Sequence, residues 1–144
     1  MRIPTLVLSI GMMGMMAAPA LSHHSFAMYD RTKTQTMTGK LTRYVPGSNH
    51  AQLIFDVLGP DGKVMIGANG TPVQWGVETV SAAALARQGL TVASFPIGTV
   101  FTVSLFPLRD GRPFGAMTGS LIKCGNAMPA AGCTEKTGET MKEN

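Results

Sequence analysis

Residues 32–45 read TKTQTMTGKLTRYV, and their alternation puts Met37, Leu41 and Val45 on one face and the threonines on the other. Such alternation, rich in β-branched residues, marks a half-buried strand, and this one is long. Gly39 at its middle predicts a sharp bend or bulge, which a strongly curved small barrel needs in order to turn a corner. Pro46-Gly47-Ser48 then makes a turn, and residues 51–58 form a second strand with Leu53, Phe55 and Val57 inward. His50 stands at the mouth of that strand.

Working further outward, Gly59-Pro60-Asp61-Gly62 signals a turn, and Val73, Trp75 and Val77 alternate with Gln74, Gly76 and Glu78 in a third strand with one polar face. Thr79 or Ser81 caps a short alanine-rich helix that Gly89 stops. Residues 99–106 make a fourth strand with Phe101, Val103 and Leu105 inward, residues 107–113 a polar hairpin connection around Asp110-Gly111, and residues 114–123 a glycine-rich fifth strand. Five strands with one short helix between the third and fourth predict an all-β fold, a five-stranded OB-like Greek-key barrel. A β-sandwich with an incidental helix is the alternative.

Ahead of the barrel, residues 1–22 read as a secretory signal peptide, with Arg2 in the n-region, an apolar run over residues 3–16 and small residues at the exit. Pro4, Gly11, Gly14 and Pro19 break that run, which argues against a retained membrane helix. Cleavage after Ala20 or after Ser22 fits the small-residue rule, so the mature protein is expected to be periplasmic or secreted, with no stable membrane anchor. The barrel domain then spans residues 23–123, and residues 124–144 form a disulfide loop and a polar tail. Cys124 and Cys133 lack metal-site spacing, and in an exported chain they are expected to pair. Beyond Cys133 the tail TEKTGETMKEN is polar and charged, which predicts disorder.

Of the chain's 12 Lys and Arg only Arg2 leaves with the signal, so the mature part carries 11 against 8 Asp and Glu, a net +3. So mild and scattered an excess gives no basic stripe for nucleic acid. No nucleophile elbow, HExxH, Walker loop or dinucleotide fingerprint occurs, and Ser25 beside His24 does not make a triad, so an enzyme is not expected.

Several separate blocks in order resemble an exported bacterial family, the domain of unknown function 6152. They are His23-His24-Ser25-Phe26 with Asp30, Gly39, Asn49-His50, Trp75 with Glu78, Leu85 with Gly89, and Pro107-Leu108-Arg109-Asp110-Gly111. The resemblance implies export and a small domain without an established activity. The family reads Asn-Pro-His where this chain has Asn49-His50, and tryptophan after the glycine where it has Leu90.

All three histidines, His23, His24 and His50, fall in those blocks, and together with Glu78 they make a candidate metal site. Imidazoles in an exported protein favour Cu(II), with Zn(II) the alternative cofactor and a metal-free barrel the bland reading. The two cleavage points differ chemically. Cutting after Ala20 gives a terminus with histidine third, whose amine, two amides and ring can surround Cu(II), whereas cutting after Ser22 lets the amine and ring of His23 bind together and a second histidine complete the site. Glu78 either binds directly or accepts a ring N–H; otherwise it pairs with Arg43 or Arg109 and His50 caps a strand end. Met28 and Met37 either act as soft Cu(I) ligands or only pack. The competing function is a metal-free binding module, whose face with Tyr44 and Trp75 receives a periplasmic protein, peptide or glycan partner.

Overall fold

The computed structural model describes residues 26–141. Its elements are a short 3-10 turn (Phe26–Met28), β1 (Gln35–Val45), β2 (Gln52–Val57), β3 (Gln74–Glu78), α1 (Ala82–Arg87), β4 (Val100–Pro107), β5 (Phe114–Lys123) and β6 (Glu139–Met141). β1 is shared between two neighbours. Residues 35–40 pair antiparallel with β4, residues 39–45 pair antiparallel with β2, and the hand-over falls at Gly39 and Lys40. The sheet order β3-β2-β1-β4-β5, closed by a β3–β5 pairing, makes a five-stranded barrel with α1 between β3 and β4. This is the OB-type order, and the closure excludes the sandwich.

The threonine face of β1 has a specific use. Thr36 and Thr38 meet Ser104 and Thr102 of β4 through hydroxyl pairs at 2.8 and 2.7 Å, cross-strand bonds that fix the register. The irregularity in β1 lies at Thr42 instead of Gly39: Leu41 faces Phe55 and Arg43 faces Ile54, so Thr42 is the extra residue, and its hydroxyl donates to the Ile54 carbonyl at 3.0 Å. A one-residue bulge flips the alternation beyond it. Tyr44, opposite Leu53, therefore packs on the core in place of the predicted Val45. Gly39 serves packing, because a Cβ there would overlap the Phe55 ring.

Leu53, Phe55, Val77, Phe101, Val103 and Leu105 are all 0 % exposed, as the alternation in their strands predicts. Phe101 takes Phe55 and Phe95 edge-on, with ring centroids 5.1 and 5.3 Å away, an arrangement that adds to area burial. α1 is capped by Ser81, whose hydroxyl accepts from the Ala84 N–H at 3.1 Å, and it seats Leu85 in the core. A helix of 6 residues persists only because it packs.

The tail departs from its predicted disorder. Glu139–Met141 pairs antiparallel with the end of β5, and Met141 is buried in the main core. Met141 is the only large apolar residue after Cys133, and composition averaged over the tail hides a single anchor. The chain is delivered there by the Cys124–Cys133 disulfide, with Cα atoms 5.7 Å apart, beside buried Leu58 and Val100.

Two stability predictions follow from this packing. Gly39→Ala forces the Phe55 ring from its seat and lowers unfolding free energy by about 1–3 kcal/mol, read from the urea midpoint. Replacing both cysteines by serine costs roughly 2–3 kcal/mol in the same titration.

Candidate functional site

The barrel closes where β3 and β5 run parallel, with Gly76, Val77 and Glu78 opposite Phe114, Gly115 and Ala116. Glu78 is thus the last residue of β3, held against the start of β5. Past it the chain stays paired, since Thr79 N–H donates to the Ala51 carbonyl and Ala51 N–H to the Val80 carbonyl, both at 2.9 Å. That exchange sets His50 beside Thr79. His50 Nδ1 lies 3.0 Å from the Thr79 carbonyl oxygen and 3.6 Å from Glu78 Oε1. A carbonyl can only accept, so Nδ1 donates to it. The two side chains are 31 % and 25 % exposed, so both reach solvent. They line a cavity of about 140 Å³ with Phe26, Thr79, Val80, Ala116 and Met117.

Phe26 belongs to the N-terminal segment, and the 107–111 connection clamps that segment onto the barrel. Asp30 N–H donates to the Pro107 carbonyl at 2.8 Å, Arg109 N–H to the Met28 carbonyl at 2.9 Å, and Arg109 Nε to the Ala27 carbonyl at 3.0 Å. Tyr29, 4 % exposed, packs with Leu108 and Ala116. Its hydroxyl bonds Glu78, and its pKa is pushed up to about 12, first by burial, then by the Glu78 charge and the hydrogen bond to it. Asp30 is held below the usual carboxylate range, chiefly by the Thr32 hydroxyl at 2.6 Å, which keeps the turn after the clamp. Asp110 is likewise lowered, first by the Arg112 backbone N–H and then by its guanidinium.

Of the residues singled out in the sequence, His50 and Glu78 come together, although 28 positions separate them. His23, His24, the signal segment and both cleavage points lie outside the described residues. Among the described residues no three His, Cys, Asp or Glu side chains converge. Glu78 faces His50 and Tyr29 in place of Arg43 or Arg109. Tyr44 and Trp75 are half-buried and pack against the main core. Cys124 and Cys133 are bonded to each other and leave no free thiol. Tyr29, Thr79 and Met117 line or support the site without having been singled out; the place of Tyr29 between the His-His-Ser-Phe and Asp30 blocks was the available signal for the first.

Residues 12–117 match a family of unknown function (DUF6152), and the chain belongs to it. No curated protein and no solved structure matches it.

The Tyr29–Glu78 bond can be read by titration. Because negative charge at position 78 disfavours the phenolate, Glu78→Gln moves the Tyr29 transition down from about 12, while burial, the larger cause, keeps it above the ordinary 10.0. Ultraviolet absorbance of the phenolate, with Tyr29→Phe to assign the step, measures the shift.

Proposed function

We propose that the mature protein is an exported barrel that binds one Cu(II) ion through His50 together with His23 or His24. The observation that carries this reading is that Phe26, two residues after His24, walls the cavity that His50 and Glu78 line. A tether of two or three residues, at about 3.6 Å per residue, is short enough to deliver an imidazole to that cavity. The Thr79 carbonyl orients the His50 ring through Nδ1, which supports Nε2 as the coordinating nitrogen, the usual outer-sphere arrangement for a histidine ligand. Glu78 lies on the opposite, Nδ1 side of the ring, so it acts as a charge-balancing acceptor instead of sharing the ion with Nε2.

The geometry of copper discriminates between the two termini. A chain beginning at Leu21 fills a square plane with its amine, two amides and the His23 ring, and leaves no equatorial place for His50. A chain beginning at His23 supplies only amine and ring, so His50 completes the set. Sharing the ion with His50 therefore goes with cleavage after Ser22. Cu(II) stands above Zn(II) in intrinsic affinity for such nitrogen donors, which makes zinc the weaker ligand of the same site.

The test is a Cu(II) titration of protein recovered after export, its first residue fixed by mass spectrometry and no tag at that end. His50→Ala is expected to weaken binding at least tenfold. Equal affinities for the variant and the wild type would remove His50 from the site.

A further inference from the structure

At the end of β5 far from the His50 cavity, two lysines border a larger recess of about 570 Å³. Lys40 of β1 is paired with Val100 and Lys123 of β5 with Phe101, so they flank the start of β4 from its two neighbouring strands. The loop ahead of β4 walls the space. Phe95, 1 % exposed, anchors that loop in the core, and Thr91 and Ser94 brace it, each backbone N–H donating to the other's hydroxyl at 2.9 and 3.1 Å. Gly98 N–H donates to the Leu41 carbonyl at 2.8 Å and Val100 N–H to the Gly125 carbonyl at 2.7 Å, which ties the wall to β1 and to the chain leaving β5. The recess is therefore framed by backbone bonds and a core anchor.

Its lining divides by chemistry. Lys40, Lys123 and Asn126 bring donors, Ala93, Pro96 and Ile97 bring apolar surface, and no acidic side chain lines it. The Lys40 stem runs toward Gly98, its Cε 3.8 Å from where a Cβ on that glycine would stand, which puts the end of the side chain at the wall. Among the described residues neither lysine makes an ion pair, although Glu139 stands opposite Lys123 across β5 and β6. Ile97 is 74 % exposed, more open than any other large apolar side chain among the described residues. Two ammonium groups select negative charge, and a phosphate monoester carries nearly two such charges near neutral pH. An apolar wall beside them favours a ligand with a hydrocarbon part over a bare hydrated ion. We infer that this recess binds a small anionic amphiphile, its phosphate head held between Lys40 and Lys123 and its short alkyl chain laid along Pro96 and Ile97. The site is independent of the copper reading.

The purified protein is titrated with octyl phosphate below its micelle concentration by calorimetry and by amide chemical shifts. The expected result is saturable binding that moves the Gly98, Gly125 and Asn126 amides. Lys40→Met and Lys123→Met each keep an apolar stem and remove the charge, and each should weaken binding at least fivefold. Ile97→Ser, at an exposed position, should weaken it at least threefold, and Lys33→Met, whose lysine lies elsewhere and pairs with Asp30, should match wild type. Unchanged urea midpoints confirm that the variants are folded. No binding by the wild type, or wild-type affinity in both variants at the recess lysines, overturns the inference. Octanol or inorganic phosphate binding as tightly as octyl phosphate overturns the ligand class. Binding to phosphatidylcholine vesicles that contain phosphatidic acid, with none to octyl phosphate, makes the face a membrane contact and overturns the small-ligand site.

Discussion

The barrel closes through a parallel contact of three residue pairs between β3 and β5, and that contact exists because position 76 has no side chain. A Cβ at Gly76 would run into the Phe114 ring, so the glycine lets the two strands approach while the aromatic ring covers the junction. Closing the sheet removes the open edges that a five-stranded ribbon would otherwise present. It also brings Glu78 beside Ala116 and, through the continued pairing of Thr79 and Ala51, sets His50 at the same rim. The candidate site is therefore a product of the closure, not an ornament on one strand.

The N-terminal segment is tied to that junction by a different kind of contact. Backbone carbonyls of Ala27 and Met28 accept from Arg109, and Asp30 donates to Pro107, so two blocks far apart in sequence hold each other. Backbone bonds tolerate many side chains, but the Arg109 guanidinium and the buried Tyr29 ring make this clamp specific to its residues. Tyr29 adds a polar link by donating to Glu78. One carboxylate thus lies against both the segment and His50.

Most of the barrel was legible because strands with one buried face carry their period openly: Leu53 and Phe55, or Phe101, Val103 and Leu105, declare the inward side at once. What alternation could not carry was the point at which it slips. Thr42 looks like its neighbours, and only the pairing with β2 shows that it is the extra residue and that Tyr44, not Val45, turns inward. β6 was hidden for another reason: one methionine anchors three residues, too little apolar signal to outweigh a charged tail. At the site, residue types were readable and their meeting was not. His50 and Glu78 were candidates on chemistry, whereas Met117 carried an ordinary strand methionine's signature until the closure put it on the same wall.

A histidine bonded to a carbonyl at a strand entrance could serve the fold alone, and the carboxylate beside it is what separates the two roles. For a purely structural cap the Thr79 carbonyl suffices, since it already satisfies Nδ1. Glu78 is not needed for that bond, yet it stands 3.6 Å from the same nitrogen, one quarter exposed, with Tyr29 donating to it. Glu78 thus gives the rim a negative side chain beside the His50 ring, which the Thr79 carbonyl alone would not supply.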